Sequence, residues 1–298
     1  MKIIEKNPMI MIVVGILGIS LSSIFVKFST APSAVTAAYR LLWTVLILTP
    51  VVFSKKENRK EIATLSKKNI ILSIISGVFL AIHFVLWFES LSHTSVASST
   101  TIVCTEVIWV ALGYLLVLRG RLGTAAILAI VITLAGSVLI AYSDSSGDSG
   151  LYGDILALSA AVAVAVYTLI GGVVRKQAST TAYTYIVYWS CTAVLLCTCF
   201  VQGYNIFSYG MSAPVVGLLL ALFSTILGHS IFSFCLKYFS PSFVSASKLC
   251  EPVVSAAFAA FIFGEIPTLM QIAGAVLVIG GVLFYSAVEK KNLQKSKD

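Results

Sequence analysis

Apolar residues run almost unbroken through ten stretches of the chain, at 8–29, 32–53, 69–91, 94–118, 123–142, 151–174, 182–201, 213–238, 241–263 and 267–288. Polar residues, glycines and prolines gather between them. Each stretch is about 20 residues long, enough for a helix to cross roughly 30 Å of hydrocarbon. The apolar positions do not alternate with period two, as lipid-facing barrel strands do, so the pattern predicts helices. A helix also satisfies its own backbone where lipid offers no partner. Most connections are short, which makes sequential helices antiparallel neighbours.

Composition agrees with this pattern. Hydrophobic residues make up 58% of the 298 positions and charged residues 11%, and the mean hydropathy is +0.99. Soluble domains carry about 25% charged residues, so this chain cannot coat a water-facing surface of its size. The expected class is an all-α integral membrane protein. The first stretch follows Lys2 and resembles a signal peptide, but its length and the similar stretches after it predict an uncleaved first span.

The basic residues set a direction. With the N-terminus inside, the inner segments hold Lys2, Lys6, Lys55, Lys56, Arg59, Lys60, Lys67, Lys68, Arg119, Arg121, Arg175, Lys176, Lys237 and the four lysines from Lys290 onward. The outer loops hold no Lys or Arg and carry Asp144, Asp148, Asp154 and Glu265. Both termini are therefore expected in the cytoplasm, with the chain in the plasma membrane. The same bias accounts for the net charge of +8. No basic cluster is interleaved with stacking aromatics, so nucleic acid is not an expected partner. Lys27, Arg40 and Lys248 lie within spans, and Lys27 is near enough to an end to snorkel.

The two halves resemble each other. The stretch that begins TEVIWVALGYLL at Thr105 aligns with CEPVVSAAFAAF at Cys250, pairing Glu106 with Glu251, Gly120 with Gly264 and Gly136 with Gly280. Five spans per half is an odd number, so the second half inserts upside down. The expected units are 1–145 and 146–298, the second ending in a short basic tail. Glu106 lies about twelve residues from the outer end of its span, roughly 18 Å, and Glu251 about ten from the inner end of its own, roughly 15 Å. Both carboxylates fall near the middle of the bilayer.

AAYRLLWTVLILTP in the second stretch, SLSHTSVASSTTIVCTEVIWVALGYLLVLRGRL in the first half and CLKYFSPSFVSASKLCEPVVSAAFAAFIFGEIPT in the second resemble the EamA-type, ten-helix branch of the drug/metabolite transporter superfamily. The resemblance covers nearly the whole chain. Glu-Pro followed by Gly-Glu is its most specific part. It implies secondary transport of small organic metabolites through a cavity between the halves. Val107 stands where the family commonly has proline, and Arg121 stands where the second half has Glu265, so no single member's substrate carries over.

Ionisable residues at membrane depth are functional candidates, because burying a charge is costly. Glu106 has no charged neighbour at helical spacing. Arg40 is its leading partner from another span, with a substrate cation or a proton as the alternatives. Desolvation favours a protonated carboxylate and a nearby cation an ionised one, which makes Glu106 the proton-coupling candidate. Lys248 and Glu251 are spaced i, i+3 on one face, as a neutralising pair or as binding groups. On that spacing, Glu251→Gln is expected to harm folding more than Glu106→Gln. Pro252 is read as a mid-helix kink beside Glu251. His83 and Trp87 share a face, and His229 lies at mid-depth. These histidines serve packing or carry protons, and both are candidates for the binding set. Glu89 is near an outer end, and Trp43, Trp109 and Trp189 read as packing or interface residues. Gly15, Gly18, Gly274, Gly280 and Gly281, with Ser255 and Ala259, read as close helix contacts.

The cysteines all lie in apolar stretches without metal-ligand spacing and read as small buried residues. No phosphate loop or nucleophile elbow is present, so no cofactor is expected and ATP would need a separate subunit. The candidate substrate-binding set is Glu106, Glu251, Lys248, His83, Trp87, Arg40 and His229. The expectation is a carrier of a small polar, amino-acid-like metabolite, acting as monomer or homodimer. Carriage of a lipid- or sugar-linked solute is the alternative, and an intramembrane enzyme or a channel the rival classes.

Overall fold

The computed structural model describes residues 8–94, 96–144, 150–263 and 268–295. The expectations placed on Lys2, Lys6, Asp148, Gly264, Glu265, Pro267 and Lys297 lie outside the described residues. Among the described residues the chain is all helix: α1 (Pro8–Ser20), α2 (Ser22–Val26), α3 (Ser33–Ser54), α4 (Lys56–Thr64), α5 (Lys67–Ser90), α6 (Val96–Cys104), α7 (Glu106–Leu116), α8 (Thr124–Asp144), α9 (Leu151–Val174), α10 (Thr180–Val201), α11 (Ser212–Leu219), α12 (Ser230–Cys235), α13 (Pro241–Lys248), α14 (Glu251–Phe263) and α15 (Leu269–Lys295). A 3₁₀ turn at Ile206–Ser208 precedes α11, and a π-helix, Leu220–His229, joins α11 to α12.

These pieces assemble the ten spans. Span 1 is α1–α2, span 4 is α6–α7, span 8 is α11 through α12, and span 9 is α13–α14. Among the described residues, eight spans are long and apolar enough to cross a membrane, and Thr124–Ile140 is a shorter apolar helix. Span 9 is interrupted at Leu249 and Cys250. The loop after span 2 is not all irregular. KENRKEIAT forms α4, a polar helix with no buried residue, which the search for apolar runs passes over.

Helix neighbours repeat with a twofold pattern. Span 5 packs on span 10 and span 2 on span 7, each against its own repeat mate. Span 3 packs on 6 and 7 while span 1 packs on 8 and span 2 on 8. Span 4 packs on 6, and its mate span 9 packs on 1. The ten helices are thus two inverted five-helix repeats. At the crossing of spans 5 and 10, a Cβ on Gly136 would lie 2.7 Å from the Gly274 carbonyl, and one on Gly274 would lie 2.7 Å from the Gly136 carbonyl. Only glycine lets these backbones meet. Gly18 plays the same part where α1 crosses the π-helix, 2.7 Å from the Phe223 carbonyl. Gly280, expected in a helix contact, faces open space, so the repeat mate of Gly136 is not its partner.

The bundle is apolar outside and polar within. Leu116, Phe200 and Val276 are exposed, whereas Arg40, His83, Glu106, Lys248 and many Ser and Thr are buried. Water would not tolerate that outer face, but lipid does. The end of the bundle bearing the basic loops is tied by polar contacts. Ser179 N donates to Glu61 Oε1 (2.6 Å), Asn69 Nδ2 to Gln177 Oε1 (3.0 Å), Arg175 Nε to the Ser233 carbonyl (2.8 Å) and Ser240 N to Glu289 Oε1 (2.8 Å). Arg175, counted above as a loop charge, is buried and fixes the turn between spans 6 and 7 to span 8.

Candidate functional site

Spans 4 and 9 are broken at corresponding places. In span 4 the break is Thr105, where Thr105 N and Ile108 N bond to carbonyls three residues back. In span 9 it is Leu249–Cys250, with the same tightened bonds from Leu249 N and Cys250 N. Glu106 is the first residue of α7 and Glu251 the first of α14. A helix start carries partial positive charge and unpaired N–H groups, which favours a carboxylate there. Pro252 is therefore not mid-helix. It is the second residue of α14, where a missing N–H costs little. The matching break at Thr105 has Val107 in that position, so proline is not its cause.

The breaks face one central cavity with about 40 Å³ of space for water centres, room for a few waters. Arg40, His83, Trp87, Glu106, His229, Lys248 and Glu251 all line it. The structure thus gathers the seven residues singled out by burial cost. It pairs them differently from the expectation. Lys248 Nζ lies 2.9 Å from Glu106 Oε1, joining the second repeat to the first. The contact is close but falls outside the geometry of an aligned hydrogen bond. Arg40 is not the partner of Glu106. Its Nε donates to Thr225 Oγ1 (2.7 Å), its Nη1 to Ser22 Oγ (3.3 Å), and its guanidinium lies 4.2 Å over the Phe84 ring. Glu251 forms no ion pair among the described residues. The break between Lys248 and Glu251 separates the expected i, i+3 pair.

Aromatic and imidazole rings wall the rest. His83 Nδ1 donates to the Ala160 carbonyl at 3.0 Å, since a carbonyl only accepts. In the neutral ring Nε2 is then an acceptor. The ring stacks on Trp87 at 5.9 Å and 13°, as their i, i+4 spacing predicts. His229 meets Phe84 and Tyr167 edge-on. The π-helix places both His229 and Thr225, and nothing in the periodicity of LALFSTILGH announces it. Such segments cluster at functional sites because they re-aim side chains. Ser22, Thr100, Cys104 and Ser245 also line the cavity. These small residues give no signal in the sequence, because Ser, Thr and Cys are common throughout the spans.

Several polar atoms here have no hydrogen-bond partner. Arg40 Nη2, Trp87 Nε1, Thr100 Oγ1 and His229 Nδ1 are buried without a hydrogen-bond partner, and all four belong to residues lining the cavity. An unmet buried polar group costs about 1–3 kcal/mol, so such a concentration calls for a ligand or water. Among the described residues no three of His, Cys, Asp and Glu are placed to hold a metal ion.

The model of the EamA-like transporter family matches the chain twice, at residues 6–142 and 151–287. The pseudopaline exporter CntI of Pseudomonas aeruginosa is 23% identical over 233 residues, covering 78% of this chain and 80% of that protein. The uncharacterized transporter YdfC of Bacillus subtilis is 24% identical over 199 residues, covering 66% of this chain and 65% of that protein. A probable amino-acid metabolite efflux pump of Salmonella typhimurium is 27% identical over 172 residues, covering 54% and 58%. A solved crystal structure superposes with a TM-score of 0.78 over 96% of this chain and 98% of that one, and at 13% identity it shows the fold alone.

Proposed function

The chain belongs to the EamA-like transporter family, a membrane transporter and not an enzyme, and we propose that it is a secondary carrier exporting small amino-acid-like zwitterions. The observation that carries this reading is the charge balance of the central cavity. It holds two cations and two carboxylates. One of each, Lys248 and Glu106, is engaged with the other. Arg40 and Glu251 are left without ionic partners among the described residues. A solute with one carboxylate and one ammonium neutralises both, and Arg40 Nη2 supplies an unused donor. Trp87, His83 and His229 contribute ring faces and edges for an apolar side chain. The amino-acid metabolite named for one relative supports solutes of this kind, and the names exporter and efflux pump support the outward direction.

Alternating access would rock residues 1–145 against 146–298 in the cytoplasmic membrane, with both termini inside. The Lys248–Glu106 pair crosses between these halves, so it must part or turn as they move. A proton on Glu106 can replace the departing cation in a dry site, which makes it the coupling candidate. Cysteines placed within 144–150 should label from outside intact cells, and cysteines in 54–68 should not. The reverse would overturn the orientation.

Thermal unfolding of purified protein with L-leucine, isopentylamine and 4-methylpentanoate tests the substrate class. The amine and the acid each lack one charged group of the amino acid. The zwitterion should raise Tm, since a ligand at a hundred times its Kd stabilises by about 2.7 kcal/mol, and neither analogue should match it. Stabilisation by polyprenyl-linked or sugar-linked compounds alone would move the reading to a carrier of those solutes.

A further inference from the structure

A second cavity lies at the opposite end of the bundle from the basic loops, with about 180 Å³ of space for water centres against about 40 Å³ in the central one. Its polar wall is Ser23, Lys27, Ser29, Ser33, Thr36 and Ser92. Lys27 is exposed and forms no ion pair among the described residues, and Glu89, which meets His93 at 3.2 Å, is not among the residues that line the cavity. Ser29 and Thr36 bond to each other at 2.6 Å, so one hydroxyl proton of the pair stays free to donate. Ser33 is the first residue of the 22-residue helix α3, which turns its positive end towards the cavity. A cation, a free hydroxyl donor and a helix start on one wall form a receptor for an anion.

The two cavities stand one residue apart on two separate elements. Ser22 lines the central cavity and Ser23 the outer one, while Trp87 lines the central cavity and Phe88 the outer one. Phe88 is buried, with its ring 5.4 Å from Trp87 and 6.0 Å from Phe84. Its ring lines the outer cavity and lies against Trp87, which lines the central one.

We propose that this outer cavity is a second binding site for a carboxylate, centred on Lys27, and that Phe88 separates it from the central site. A solute crossing the protein rests its carboxylate there before leaving. That passage role rests on the carrier reading, whereas the anion site itself does not. No Asp or Glu among the described residues lines the cavity, so it favours an anion over an ammonium.

The test uses full-length Ser92→Cys protein purified in detergent, with modification at residue 92 read by peptide mass spectrometry. Two methanethiosulfonate reagents are compared, one bearing a sulfonate and one a trimethylammonium. The sulfonate should react faster by roughly three- to tenfold, the effect of one nearby charge at intermediate dielectric. Lys27→Gln should erase the preference. Acetate should slow labelling about twofold on reaching its Kd, only where Lys27 is present, and chloride at the same concentration should not. Equal rates for the two reagents would leave Lys27 as a snorkelling residue and overturn the site. Equal slowing by chloride would overturn the carboxylate assignment. For the partition, native Cys104 lines the central cavity and is buried. Phe88→Ala should make it reactive several-fold faster, Phe88→Leu should not, and buried Cys191 and Cys235 should stay unlabelled in both. An inert Cys104 in Phe88→Ala would overturn the partition. These rates are read without transport, so their failure leaves the central-site reading standing, and a failed flux assay leaves them standing.

Discussion

Neutralising Glu106 strands a buried ammonium. Lys248 Nζ and Glu106 Oε1 are 2.9 Å apart, and their side chains are 10% and 5% exposed. At an effective dielectric constant of about 20 the attraction is 332/(20 × 2.9), or roughly 6 kcal/mol. Desolvation of both groups offsets much of it, and removing one partner of a buried pair costs about 3–5 kcal/mol. Glu251 in the same cavity softens the loss here, so Glu106→Gln should cost about 2–4 kcal/mol, and Lys248→Met about the same. Glu106→Gln/Lys248→Met leaves no stranded charge and should cost less than either single change. In a detergent melt each single variant should lose about 5–10 °C, and the double variant less. Losses that add to within about 0.5 kcal/mol would refute the pairing. Glu251→Gln, which the i, i+3 spacing marks as the more harmful change, should be the milder one, because Lys248 turns to the other repeat.

Arg40→Gln should weaken binding of carboxylate-bearing ligands by roughly tenfold to a hundredfold in isothermal titration, the loss of a charged hydrogen bond worth about 1.5–3 kcal/mol; uncharged amides of the same ligands should be insensitive. Gly274→Leu would drive a side chain into the Gly136 carbonyl 2.7 Å from its Cβ, so it should destabilise by about 1–3 kcal/mol in detergent melts, whereas Gly280→Ala, facing open space, should leave Tm unchanged. Pro252→Ala should keep both the break in span 9 and the transport rate, because span 4 breaks at Thr105 with a valine in the matching position; a large loss of flux at normal expression would restore the proline as the cause of the kink.

The spans are legible because lipid sorts residues harshly. A run of about 20 apolar positions has few other uses, and the near-match of Glu106 and Glu251 in context reveals the repeat. The residues that line the central cavity are legible for the same reason, since Arg40, His83, Lys248 and the two glutamates are costly at membrane depth and stand out. Their pairing is not legible. Spacing reports which residues share a helix face, but the Lys248–Glu106 contact depends on how α13 and α7 are placed across the repeat interface. The break at Thr105 is hidden because no glycine or proline marks it, and the π-helix because one extra residue per turn leaves no trace in an all-apolar run. Helix α4 escapes notice for the opposite reason, being polar on every side.

Counterflow is the most direct test of a single central site shared between two faces. Proteoliposomes are loaded with unlabelled L-leucine and diluted into trace labelled L-leucine. A carrier that returns loaded from each crossing should accumulate label transiently above its equilibrium level, and Glu106→Gln/Lys248→Met, still folded, should abolish the overshoot. Label that rises smoothly to equilibrium in the native protein, with no overshoot at any internal load, would contradict an alternating carrier and indicate an open pore.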